Sequence, residues 1–465
     1  MPIKSRATLV DKWPNYCGRN ANDIRGPARR LRATRNRQTR LTCGGSVQGE
    51  TGMAIDFTLT IEQKNLQQRA RMFARKTLSG VSAQTRDLAT PQERFVATRP
   101  VYEEMVREGF LEALIPVPFG GSCTGALDMA LLAEEFHAVD ASTSLTLLAT
   151  MLGLTPVMLA GSPEQQKQFI APFLERRGAP LAAFAFSEPG GSANFAAPAP
   201  AAGLRTTARP DGDDWVIDGA KKWVSCATGW DGTGADLLCV VCRTDPAAPP
   251  DRGLSIIAVP KPKQGIVLDH AIDAMGHRAH LVPQFRLAGV RTSKRNVLGD
   301  VGSGERLVAM SFAGTAALVG IFGVALMRAA FEFAWNFARS ERRGGSSPII
   351  DYQAVGYALA DAKTAIEAAR YLGWKACHAL DTQAPGAFEL ALQSKIFGSE
   401  TAVRVITDLM RVVGIDSYDC QLPLAGLLQD AIALPLFDGG NMGIRRRQMH
   451  DLLRSPGYDP LATLA

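Results

Sequence analysis

The sequence predicts a mainly α-helical protein with a β domain in its middle. Three observations carry this. Apolar residues recur at helical spacing from residue 58 to about 177. Short apolar or β-branched runs divided by turn residues follow to about 299. A helical pattern returns at Glu305 and dominates to Leu453.

In the first part, Leu59, Ile61, Leu66, Ala70, Phe73 and Leu78 mark the buried stripe of a helix over 58–78. Further helices are expected over 100–108, 127–137, 144–159 and 163–174. Ser162-Pro163-Glu164 supplies a helix start, with Ser as N-cap, Pro at the first helical position and an acid in the first turn. In the middle part, strands are expected at 215–217, 222–225, 237–241, 254–259 and 266–268. Asp211-Gly212-Asp213, Asp218-Gly219 and Asp251-Arg252-Gly253 give the turns between them. No helix recurs between these strands, which argues against a doubly wound parallel sheet. In the last part, 307–327 is apolar and uncharged, long enough to span a membrane. Its Ala and Gly content and its amphipathic continuation through 328–340 favour a helix buried inside a bundle. Helices over 352–382, 386–413 and 441–453 complete the order; if Asn441 caps the last, Asp438 sits just before its N-terminus and Arg445 on its second turn.

Composition agrees with a large core. Of 465 residues, 46% are hydrophobic and 21% charged, which excludes a disordered chain. Eight cysteines are too few for a disulfide scaffold. The formal charge of +6 is misleading. Residues 1–52 hold eleven Lys/Arg against Asp11, Asp23 and Glu50, and the remaining chain is slightly acidic. This Arg-rich stretch reads as a disordered extension. A nucleic-acid arm, an organelle presequence, or a start placed upstream of Met53 are its other readings. With no secretory signal pattern, a cytoplasmic location is expected, with neither nucleic acid nor membrane as partner. The domains are then 1–52, 53–178, 179–300 and 301–465.

Local motifs are weak. Cys239 and Cys242 have metal-like spacing, but positions i and i+3 of a strand face opposite sides, so core cysteines are expected. His277 and His280 are expected to be surface histidines, since no further ligand cluster lies nearby. No metal site is assigned. Gly302-Ser303-Gly304 lacks the third glycine and the strand of a dinucleotide fingerprint.

Three ordered motifs are more specific. Phe186-Ser187-Glu188-Pro189-Gly190-Gly191-Ser192-Ala193-Asn194 resembles the flavin-side motif of acyl-CoA dehydrogenases. Gly219-Ala220-Lys221-Lys222-Trp223-Val224-Ser225 resembles their strand against the isoalloxazine. Leu436-Phe437-Asp438-Gly439-Gly440 falls where they carry the catalytic base. The resemblance spans residue 53 to about 460. It implies an N-terminal helical domain, a middle β-barrel or sandwich and a C-terminal four-helix bundle. The run from Pro435 to Gln448 is similar to the nitroalkane oxidase branch of that family, as are Gly229-Trp230-Asp231 and Arg343-Gly344-Gly345-Ser346. Gly344 stands where dehydrogenases usually place an aromatic residue, and Gln429-Asp430 where they usually show Arg-Asp. Both departures count against ordinary acyl-CoA chemistry.

The resemblance implies FAD as cofactor, a small nitroalkane and O2 as substrates, and a homotetramer. Asp438 would take the acidic α-proton. The carbanion would add to flavin N5, nitrite would leave, and an aldehyde or ketone and hydrogen peroxide would result. An acyl-CoA dehydrogenase using Asp438 on a thioester is the alternative; a silent flavin-binding member is a third. Arg445, seven residues on, would favour an ionised Asp438; a solvated basic face with Arg446 and Arg447 is its bland reading. Thr315 would hydrogen-bond the base, or else bond back to its own helix. Ser225 matches the hydroxyl beside flavin N5, and Trp223 would lie against the ring. Ser187 and Ser192 would donate to flavin or pyrophosphate, and Gly439 and Gly440 would allow close backbone approach. Arg343 and Gln353 match positions that reach the adenine end of a neighbouring subunit's FAD.

Overall fold

The structure is a computed structural model that describes residues 57–197, 201, 203–261 and 264–464. The basic extension 1–52 and the question of where the chain starts lie outside these residues. The first helical part comprises α1 (Ile61–Thr77), α2 (Val81–Thr85), α3 (Pro91–Ala97), α4 (Arg99–Arg107), α5 (Ala126–His137), α6 (Ala141–Ala160) and α7 (Pro163–Ile170). Thr60 and Ser162 both form capping boxes, with Gln63 and Gln165 respectively. The sequence reading missed α2 and α3, which are too short to show a period; α3 is announced by Thr90-Pro91 and its own capping box with Glu93.

The strands are β1 (Ala182–Ala185), β2 (Thr207–Asp211), β3 (Asp214–Lys222), β4 (Leu237–Arg243), β5 (Leu254–Pro260), β6 (Ile266–Ala271), β7 (Pro283–Ser293) and β8 (Val297–Leu298), with the four-residue helix α8 (Pro250–Gly253) before β5. They form one sheet in the order β6-β7-β3-β2-β4-β5-β8, and β1 pairs with β4 in parallel. The Thr292 hydroxyl on β7 donates to the Ala258 carbonyl on β5 at 3.1 Å, although three strands separate them in that order. The sheet therefore curls back on itself. Cys239 and Cys242 lie wholly within its core. The strand expected at 222–225 ends at Lys222: Trp223 takes a φ of +63°, and the chain turns away.

The last part holds α9 (Gly304–Ser340), α10 (Gln353–Thr382), α11 (Ala387–Val413), α12 (Pro423–Ala433), a π-helical turn (Asn441–Arg445) and α13 (Arg446–Leu453). The apolar stretch of α9 is packed in the bundle, with residues 316–327 buried without a break. Backbones of α9 and α11 meet at Gly320 and Gly398: a Cβ on Gly398 would lie 2.6 Å from the Gly320 carbonyl oxygen. A buried ionic cluster ties this bundle to the first helices. Glu134 and Glu135 of α5 accept from Arg328 of α9, Arg370 of α10 reaches Glu134, and Arg71 of α1 reaches Glu135. Each of the two buried carboxylates is met by two arginines, which compensates their loss of water.

Candidate active site

The site is built where β1, the end of β3, α9 and the segment after α12 converge. Asp438 lies in the turn following α12, at a left-handed φ of +50°. Its side chain is almost fully buried. Oδ1 accepts from Thr315 Oγ1 at 2.8 Å and Oδ2 from Arg445 Nη2 at 2.8 Å. Thr315 also approaches the Phe312 carbonyl of its own helix at 3.2 Å. It has a single proton, and the shorter contact is to a charged acceptor, so the carboxylate takes it.

Arg445 is 1% exposed and fully committed. Besides the carboxylate it holds the Asp438 carbonyl through Nε at 2.9 Å, the Phe312 carbonyl at 3.0 Å and Gln448 at 3.2 Å. It is therefore no part of a solvated face. Its neighbours are also engaged: Arg446 pairs with Glu400, and Arg447 donates to the Ala193 carbonyl at 2.7 Å. Gly439, at φ +78°, is where the Arg445 guanidinium passes; a Cβ there would sit 3.1 Å from Nε.

Asn441 does not cap the following helix. The chain forms a π-turn, and the Asn441 side chain turns inward to Lys395, Ser399 and Glu400. The physical reason is Lys395, a buried cation on α11 that needs acceptors. It donates to the Leu434 carbonyl at 2.9 Å and to Asn441 Oδ1 at 3.1 Å, bracketing the segment that carries Asp438. Burial pushes the Lys395 ammonium down to about 8, against the pull of Asp438 and Glu400, with Arg445 adding to the fall. Between pH 8 and its ordinary 10.5 the unfolded chain holds a proton that the folded chain lacks. Stability attributable to this residue therefore rises with pH across that window. Urea unfolding midpoints measured through the window are expected to climb less steeply in Lys395→Met than in the parent; equal slopes would refute the assignment.

The other motifs are brought alongside. Phe186 touches Phe312 at 5.4 Å between ring centres, and Arg447 ties residue 193 to α13. The Lys222 amide donates to the Ser187 carbonyl at 2.9 Å, joining the motif after β1 to the end of β3. Within it, Ser187 and Ser192 hydroxyls stand 3.4 Å apart. Beneath them Lys221, wholly buried, pairs with Glu188 at 3.0 Å; Glu188 also takes the Arg205 and Thr206 amides. Burial lowers Lys221, while Lys221 and these hydrogen bonds outweigh burial to lower Glu188. This pair fixes the Ser187–Ser192 turn and was not singled out from the sequence.

His277 and His280 are buried, not on the surface. The His277 ring packs edge-on against Phe437, beside the base, and its amide donates to Asp430 at 2.5 Å. His280 reaches Ser225 at 2.9 Å. Gly276 makes this possible: the loop lies so close to α12 that a Cβ there would meet the Gln429 carbonyl at 2.4 Å.

These residues fit a bound flavin. Trp223 presents an indole 53% exposed, an unusual position for Trp; Ser225 follows it by two residues, and the Lys222 amide before it joins the turn that carries the Ser187 and Ser192 hydroxyls and the open backbone of Gly190 and Gly191. A flat ring with a polar edge matches that donor set. Arg343 and Gln353 are not part of this cluster. Arg343 pairs with Asp416 at 3.0 Å, donates to the Val413 carbonyl and covers Phe337; Gln353 is exposed at the start of α10.

Models of the acyl-CoA dehydrogenase N-terminal, middle and C-terminal domains match residues 60–177, 183–290 and 302–453. The chain is 43% identical to the nitroalkane oxidase of Podospora anserina, across 88% of this chain and 98% of that one. It is 39% identical to that of Fusarium oxysporum, across 88% and 97%. A solved structure of the flavoprotein nitroalkane oxidase, addressing the roles of one arginine and one aspartate in its reaction, aligns with a TM-score of 0.84 at 37% identity, over 88% of this chain and 99% of that one. Those two residues are seven positions apart, the spacing of Asp438 and Arg445.

Proposed function

The chain belongs to the nitroalkane oxidase branch of the acyl-CoA dehydrogenase superfamily, and from that premise we propose that it oxidises small nitroalkanes with Asp438 as the base. FAD is its cofactor. The observation that carries the residue assignment is the buried carboxylate held at both oxygens by Thr315 and Arg445. A nitro group acidifies the carbon beside it. A fixed carboxylate with its charge supported by two donors takes that proton without reorganising. Asp438 is one methylene shorter than glutamate, so its reach is set by the backbone of the Phe437–Gly440 turn, which Arg445 and Lys395 hold.

The remaining residues orient and shield. Trp223 would stack on the flavin, Ser187 and Ser192 would bind its polar parts, and Ser225 would lie beside N5. Gly439 leaves room for the Arg445 guanidinium, and Gly439 and Gly440 would let the backbone approach the ring. Bound FAD supplies an electron acceptor that O2 regenerates, so the net products are an aldehyde or ketone, nitrite and hydrogen peroxide. Arg343 and Gln353, apart from the cluster, would serve the cofactor of a neighbouring subunit in a homotetramer.

The test uses purified enzyme loaded with FAD. Nitroethane and oxygen are expected to yield nitrite and peroxide in equal amounts, while acyl-CoA thioesters fail to reduce an electron-accepting dye. Dye reduction by acyl-CoA without nitrite release from nitroethane would overturn the proposal.

A further inference from the structure

A hydrogen-bonded chain runs behind Ser225. Its Oγ lies 2.9 Å from His280 Nε2. The other ring nitrogen, Nδ1, lies 2.9 Å from Thr146 Oγ1 on α6. Thr146 Oγ1 lies in turn 3.1 Å from the Ser142 carbonyl. Thr146 and His280 are buried, and Ser225 is half-buried, closed on the histidine side. Burial drives His280 down to about 3, with His277 adding to the fall, so the ring is neutral and carries one proton.

A neutral imidazole donates at one nitrogen and accepts at the other. Two arrangements satisfy the chain. In one, Thr146 gives its proton to the Ser142 carbonyl, Nδ1–H donates to Thr146, and Nε2 accepts from Ser225. Ser225 then shows only lone pairs to its open side. In the other, Thr146 donates to Nδ1, Nε2–H donates to Ser225, and Ser225 has its own proton to give. The two contain the same protons and differ by one tautomer and two hydroxyl rotations. Cys226 Sγ, 3.9 Å from Nδ1 and 4.0 Å from Thr146 Oγ1, is a weak partner in either.

We propose that His280 is a positioning residue that lets Ser225 serve as either donor or acceptor toward flavin N5, through the Ser142–Thr146–His280 chain. N5 accepts a hydrogen bond in oxidised FAD and offers one in reduced FAD. A hydroxyl able to reverse satisfies both states, whereas a hydroxyl fixed as donor favours the oxidised one. The proposal rests on the reading of Ser225 as the hydroxyl beside N5.

The test is the equilibrium reduction potential of FAD in the purified holoenzyme, read against dyes of known potential. Thr146→Val removes the hydroxyl and leaves only the Cys226 thiol near Nδ1, so a proton on Nδ1 would be a buried donor with no acceptor better than sulfur. That fixes the proton on Nε2 and Ser225 as donor. Reduction is expected to become about tenfold less favourable, about 30 mV for a two-electron couple. Thr146→Ser keeps the swinging hydroxyl and is expected to keep the parent potential. Combined with Ser225→Ala, Thr146→Val is expected to add no shift. A reversible hydroxyl supports both redox states, so Ser225→Ala alone is expected to change the potential little but to move the absorption maxima of oxidised FAD; if the maxima stay where they are in the parent, Ser225 is not beside the flavin and the underlying reading fails. If Ser225→Ala moves the maxima but Thr146→Val leaves the potential unchanged, or shifts it equally without the serine hydroxyl, the relay fails. Should Thr146→Val not retain FAD, His280→Phe replaces it under the same rule: its shift must vanish when Ser225 is alanine.

Discussion

Asp438→Asn is expected to cut turnover of neutral nitroethane by about 10³-fold while the enzyme stays yellow with bound FAD. The substitution is isosteric. The amide oxygen can still accept from Arg445, and the amide nitrogen can face the Thr315 oxygen, so the left-handed turn keeps its partners. What the amide cannot do is take a proton. The loss should therefore depend on the protonation state of the substrate. Nitroethane supplied as its preformed anion has already lost the α-proton, and the variant is expected to turn it over at a rate approaching the parent's. Nitrite release with each form, measured side by side, separates the base from every structural explanation. A variant equally slow with both forms, or active with neutral nitroethane, would sink the assignment of Asp438.

The parts of the fold that were legible from sequence are those set by local chemistry. Ser162-Pro163-Glu164 opens α7 because capping, proline geometry and the acid in the first turn act within four residues. The buried run of α9 was legible because a helix surrounded by other helices leaves no polar stripe. The misreadings occur where a distant partner decides. Trp223 and Ser225 look like strand continuation, but β3 stops at Lys222, whose amide turns to Ser187. Asn441 looks like a cap, but Lys395, 46 residues earlier, claims its side chain. His277 and His280 look like surface residues of a loop, because nothing nearby in sequence shows that Gly276 presses that loop onto α12. The site residues themselves were assigned by resemblance. No period or spacing distinguishes Asp438 from the chain's other acids; contact with Thr315, 123 residues away, is what sets it apart.

Arg445→Met is expected to produce the second large loss, by a different route. Arg445 does two jobs at one residue: Nη2 supports the Asp438 charge and Nε holds the Asp438 carbonyl, which keeps a non-glycine residue at positive φ. Methionine fills the space and removes both. Without that charge-assisted hydrogen bond and the grip on the carbonyl, the carboxyl holds a proton to higher pH and loses its aim, and misplacement alone can cost about 10²-fold, so a fall of roughly 10- to 100-fold in the rate of proton removal at neutral pH is expected. Flavin reduction by neutral nitroethane, followed without oxygen, should slow by that factor. With α-deuterated nitroethane the isotope effect should remain large, because carbon–hydrogen cleavage becomes more fully the slow step. Arg445→Lys separates the two jobs. A lysine restores positive charge but cannot fork to a carboxylate and a carbonyl together, so it should recover only part of the rate. The preformed anion again supplies the control, since it needs no base and should lose far less in either variant. If Arg445→Met reduces flavin at the parent rate, or Arg445→Lys does no better than Arg445→Met, the guanidinium braces the helix and plays no part in holding the base ready.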